Sequence, residues 1–159
     1  MVVGEPVDRA LLEQLDEALA AVTAAVPWAE RSGNRVVWST RHGSPEPADP
    51  GGAGLAELGR FCHEISAADV GNGWFVHPVD RRRAGPDVPT EVIGFGRCTP
   101  FGSSGGGDWF VLADDGAVWM LPPSPIHDGR YEPGPVPISR VAGSVREFVE
   151  IVLATARDV

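Results

Sequence analysis

Asp108-Trp109-Phe110-Val111-Leu112-Ala113, then Asp114-Asp115-Gly116, then Ala117-Val118-Trp119-Met120-Leu121 is the stretch that decides the fold. Two short apolar runs separated by a turn signal read as a β-hairpin. Asp115-Gly116 is a dipeptide that tolerates the positive φ angles of a tight hairpin turn. The apolar residues run consecutively along both arms instead of alternating. Both faces are therefore expected to be buried, which places the hairpin near the centre of a sheet.

Strand signals continue on the N-terminal side. Residues 73–79 and 91–95 are candidate strands, and Arg35-Val36-Val37-Trp38-Ser39-Thr40 is a shorter one. On the C-terminal side, Pro122 to Pro137 carries six prolines and reads as an irregular excursion. Helices bracket the strands. Asp8 is a predicted N-cap, with Val7 before it placed to meet Leu12, and Leu11, Leu15, Leu19, Val22 and Val26 share one face. Pro27 ends that run. Leu55, Leu58, Phe61, Cys62 and Ile65 predict a second helix from Leu55 to Ala68. Ser144-Val145-Arg146-Glu147 is a capping box that starts a last helix, with Val145, Phe148, Val149, Val152 and Ala156 as its buried stripe. The stretch from His42 to Gly54 reads as a mobile loop, too early in the chain to separate two cores. The pattern predicts one α+β domain over residues 1–159. A single, mostly antiparallel central sheet would be flanked by an N-terminal, a middle and a C-terminal helix.

Composition narrows the function classes. At 159 residues with 43% apolar content, the chain can bury a core without a disulfide or a metal. Its two cysteines, Cys62 and Cys98, read as reduced thiols. The start of the chain carries Glu5, Asp8 and Glu13 and no basic-then-apolar pattern, which argues against a signal peptide. No apolar run is long enough to span a bilayer, so a soluble cytoplasmic domain without membrane contact is expected. The net charge is −9, and all 13 basic residues are arginine. Phosphate backbones repel such a surface, so nucleic acid is not the expected partner, whereas a basic protein is attracted. The same charge also serves solubility alone.

Gly102-Ser103-Ser104-Gly105-Gly106 matches the G-x-S-x-G nucleophile elbow, with Asp114 or Asp115 and His127 following in hydrolase order. An elbow needs a strand before it and a helix after it, yet a strand follows here. A small serine-hydrolase-like enzyme centred on Ser104 is therefore the alternative reading, together with a small-ligand sensor lined by tryptophan. Gly105-Gly106-Gly107 suggests a phosphate cradle, but a Walker loop needs a lysine and the chain has none. The plainer role is a tight loop feeding a central strand. His42, His63, His77, His127, Cys62 and Cys98 lack zinc-like spacing, so no metal or other cofactor is expected. Arg81-Arg82-Arg83 is either a solvated loop or a grip for an acidic group. Of the five tryptophans, at most one or two should be exposed. No catalytic set emerges. The partner-binding candidates are Arg81, Arg82, Arg83, Gly105, Gly106, Gly107, Asp108, Asp114 and Asp115.

Several of these pieces together resemble the SUKH superfamily. They are Gly107-Asp108-Trp109-Phe110-Val111-Leu112, Gly116-Ala117-Val118-Trp119 and Ala142-Gly143-Ser144-Val145-Arg146-Glu147-Phe148, in that order. Ile93-Gly94-Phe95-Gly96 and Phe101-Gly102 precede them. The match covers roughly residues 91–156. The first half departs from it: the helix from Leu55 has no leading proline, and Gly71-Asn72-Gly73 only approximates the family's middle turn. The resemblance implies an α+β domain that binds proteins and catalyses nothing. Many bacterial members are immunity proteins that neutralise nuclease or deaminase toxins by contact, and others are regulatory scaffolds. A basic toxin domain is thus one candidate partner, and the oligomeric state stays open.

Overall fold

The computed structural model describes residues 6–40, 53–78 and 85–159. Helix α1 spans Arg9–Ala25 and starts where its cap was expected. The Asp8 carboxylate accepts the Leu11 N–H at 2.8 Å, satisfying a donor that the first helical turn leaves open. Val7, Leu11, Leu12, Leu15, Leu19 and Val22 are buried in one cluster. A 3₁₀ turn at Arg31–Gly33 leads into β1, Asn34–Trp38. Asn34 is fully buried there, and its amide donates to Glu30 O and to the Asp69 carboxylate. Helix α2 covers Ala53–Phe61.

The chain then departs from expectation. Helix α2 stops at Phe61, and Cys62–Ala67 is strand β2, not the helix predicted to run to Ala68. The apolar positions 55, 58, 62 and 65 fit a helical period, but 62–67 also fits a strand. Strand pairing decides: β2 lies between β1 and β3 (Trp74–Val76), antiparallel to both. Ser66 and Ala67 are then buried with their backbone groups in the ladder, which satisfies a requirement that local propensity does not see.

The remaining strands are β4 (Glu91–Val92), β5 (Gly96–Ser104), β6 (Trp109–Ala113), β7 (Val118–Leu121), β8 (Ile126–His127), β9 (Arg130–Tyr131) and β10 (Ser139–Ala142). Helix α3, Val145–Arg157, closes the described chain. The main sheet runs β1-β2-β3-β5-β6-β7-β10, with every neighbouring pair antiparallel. The fold is α+β, and the Trp109–Leu121 hairpin sits inside the sheet as its two-faced apolar pattern requires. A side sheet branches from the start of β5 through β4, β9 and β8, with β4 and β9 parallel. The proline-rich excursion is therefore partly ordered as strand.

The two turns use different chemistry. At Ala113–Gly116 only Gly116 has positive φ, at 89°, and its N–H donates to Ala113 O. Asp114 and Asp115 form an ordinary turn followed by a left-handed glycine, so the Asp115-Gly116 pair is not the all-positive-φ turn expected. That turn occurs instead between β8 and β9, where Asp128 (52°) and Gly129 (80°) are both left-handed.

Each face of the sheet has its own cluster. Phe101, Phe110 and Val118 face the helices, and Phe148 of α3 meets Trp74, Phe101 and Phe110 edge-on at 5.6, 5.4 and 5.0 Å. Trp74 also stacks flat on Phe110 at 5.3 Å. The opposite face buries Val92, Cys98, Val111, Leu121 and Tyr131. Tyr131 is the anchor of the excursion: it is fully buried, and its hydroxyl donates to Pro122 O at 2.5 Å. Ser144 caps α3 by accepting from the Glu147 N–H. The Glu147 carboxylate returns to the N–H of Gly143, one residue before the capping residue the box predicts.

Candidate functional site

The predicted partner-binding residues do not form one site. Gly105, Gly106, Gly107 and Asp108 lie at one end of β6, while Asp114 and Asp115 lie at the other. The six intervening steps of extended chain amount to about 20 Å. Arg81, Arg82, Arg83 and His42 lie outside the described residues, as does most of the loop read at 42–54, whose last two positions belong to α2.

The glycine end is a closed hydrogen-bonded corner. Ser104 Oγ donates to the Asp108 carboxylate at 2.5 Å and accepts from the N–H groups of Gly106 and Asp108, each at 3.2 Å. The Ser104 N–H donates to Asp108 O, and the Gly105 N–H donates to Asn72 O at 2.8 Å. A Cβ on Gly105 would stand 2.3 Å from Asn72 O, and one on Gly102 would stand 2.2 Å from Phe75 O. Close backbone approach explains these glycines, without a phosphate. Ser104 closes a turn between two strands instead of heading a helix. His127 is exposed on β8 in the side sheet, and Asp114 is exposed at the far end of β6. The elbow geometry that the G-x-S-x-G pattern requires is not formed at Ser104.

A different serine meets a histidine. The β3–β5 register sets Phe75 opposite Ser103, and His77 follows two residues later on the same face. His77 Nε2 lies 2.8 Å from Ser103 Oγ, and both residues are partly buried.

The hairpin end has another character. Ile93 and Phe95 are 43% and 41% exposed at the turn between β4 and β5. The turn is fixed, because the Ile93 N–H donates to Tyr131 O and the Phe95 N–H to Val92 O. The Phe95 ring packs edge-on against Trp119 at 4.7 Å, and the buried Trp119 indole N–H finds no hydrogen-bond partner among the described residues. Asp114, Asp115 and Arg97 are exposed, and Glu91 reaches Arg130 at 3.7 Å. Beneath it, burial pushes the Cys98 thiol up to about 12, and the carboxylates of Asp114 and Glu91 push the same way. Cys98 is therefore a protonated core residue. It lies in the opposite cluster from Cys62.

Among the described residues, no group of three or more His, Cys, Asp or Glu side chains is placed to hold a metal ion. Cys62 is buried and His63 exposed on adjacent positions of a strand, so the two side chains point to opposite faces. No described helix is long and apolar enough to cross a membrane. Of the five tryptophans, Trp28 alone is largely exposed, at 78%.

The exposed pair has a signal in the sequence. In Gly94-Phe95-Gly96 the aromatic residue sits between two glycines of positive φ, at 82° and 129°, in a turn where little chain is available to cover it. The His77–Ser103 contact left none, because it depends on a register set across 26 residues. Comparison with known proteins found no matching family model, curated protein or solved structure.

Proposed function

We propose that this chain is a protein-binding domain that acts by contact and not by turnover. The observation that supports the reading is the exposure of Ile93 and Phe95 on a turn whose backbone is already hydrogen-bonded, with the Phe95 ring braced against Trp119. Two large apolar side chains presented to water by a bonded turn are a hot-spot arrangement, since the backbone that carries them need not be ordered on docking. The SUKH-like pieces at 107–112, 116–119 and 142–148 suggest the kind of partner. An immunity role, neutralising a toxin of the nuclease or deaminase class, fits them best. The net charge of −9 favours a partner of basic character through long-range attraction and disfavours nucleic acid. A cytoplasmic setting belongs to the same proposal.

The test is affinity purification from the native host with the wild-type chain and an Ile93→Asp/Phe95→Asp double variant. A stoichiometric basic protein, held by the wild type, lost by the double variant and weakened by salt, supports the reading. Retention of no protein, or equal retention by both chains, contradicts it.

A further inference from the structure

The partner reading leaves the His77–Ser103 pair unused, at the end of β5 away from Ile93 and Phe95. We propose that Ser103 is a covalent modification site: a serine activated by His77 that accepts an acyl, sulfonyl or phosphonyl group from an activated donor, once per chain. This inference goes beyond the binding reading and does not depend on it.

The chemistry singles out Ser103 among hydroxyls with described partners. Ser66 Oγ donates to Gly33 O, and Ser124 Oγ donates to Glu132 O. Ser104 Oγ donates a hydrogen bond to the Asp108 carboxylate, but two N–H groups occupy its lone pairs, which holds back its nucleophilicity. Ser103 instead faces an imidazole nitrogen at 2.8 Å, within reach for direct proton transfer. With the ring neutral and its proton on Nδ1, Nε2 accepts the hydroxyl proton as Oγ attacks. With a sulfonyl fluoride, the Oγ–S bond forms, the S–F bond breaks and fluoride leaves. The proton rests on Nε2 and is then lost to water. Ser103 and His77 are both partly exposed, so a small electrophile can reach them.

The surroundings explain why the reaction stops there. Turnover of an ester needs preorganised donors for the tetrahedral oxyanion. The next three N–H groups along the chain are engaged: Ser104 to Asp108 O, Gly105 to Asn72 O and Gly106 to Ser104 Oγ. A strongly activated donor can dispense with that assistance, whereas an ordinary ester cannot.

Phenylmethanesulfonyl fluoride is the probe, read by intact mass and peptide mapping on the folded full chain. One adduct is expected, mapped to Ser103 and absent from Ser103→Ala. Ser104→Ala should label like the wild type. His77→Asn should label about a hundredfold more slowly, the scale of a lost general base. Near-ultraviolet circular dichroism establishes that each variant retains its fold. The native chain should also label much faster than the same chain in urea, a comparison that needs no variant. An adduct on another residue, no adduct, equal rates for His77→Asn and wild type, or equal rates folded and unfolded would each overturn the proposal.

Discussion

The two ends of strand β6 use similar residue types to opposite effect. At the Ser104–Asp108 end, glycines, a serine and an aspartate resemble catalytic machinery, but the side chains of Ser104 and Asp108 are used to close a turn. At the Ala113–Ala117 end the aspartates make a simple turn. The notable residues there are apolar, because Ile93 and Phe95 stay in water although a cluster containing Trp119 lies directly beside them. A motif gains chemical meaning only when its polar atoms are left over after folding. An apolar side chain gains it when the fold declines to cover it.

The comparison can be broken first at the core that supports both ends. Phe148→Ala should lower stability by about 3–5 kcal/mol, because it empties the space shared by Trp74, Phe101 and Phe110. Urea unfolding checks this, and a loss below ~1 kcal/mol would mean that the rings do not pack as described. At the closed corner, Gly105→Ala should cost about 1–3 kcal/mol, since its Cβ meets backbone and not a flexible side chain. A neutral result by the same measurement would show that the corner can open. Ser104→Ala should cost about 1–2 kcal/mol, because it removes three hydrogen bonds at a partly solvated site.

At the open end the expectation reverses. Ile93→Asp/Phe95→Asp should change stability by only about 0.5 kcal/mol, because both side chains are already half in water. A large loss would reassign them to the core. Cys98 should resist a thiol reagent in the folded chain at pH 8 and react on unfolding, because its thiol is pushed up to about 12.

The smallest effect concerns the cap of α1. The bond from the Leu11 N–H, reinforced by Arg146 at 3.2 Å, lowers the Asp8 pKa from its ordinary value of 3.8. The sign follows from linkage: stability from this group is present above the unfolded pKa and lost as pH falls through the lower folded value. Asp8→Asn should therefore lower stability slightly at neutral pH and leave it nearly unchanged in strong acid, so that the acid limb of the stability curve flattens.

How much of this was legible in the sequence follows the range of the forces involved. Caps at Asp8 and Ser144 are local, and both stand where the chain signalled them. The central hairpin was legible because its apolar runs need cover on two faces. Residues 62–67 misled because Cys62 and Ile65 satisfy a helical and a strand period alike, and the deciding ladder to β1 and β3 is non-local. Asp128-Gly129 was hidden among prolines, although it is the truer hairpin turn. Of the candidate site, the aspartates were visible and the apolar pair was not, because exposure is a property of the folded surface.

Hydrogen–deuterium exchange, on the chain alone and with its captured protein partner, tests the binding surface most directly. Slowed exchange at residues 93–97 and 113–119, with 104–108 unchanged, is the predicted result. Protection confined to 104–108, or absent from both ends, would contradict it.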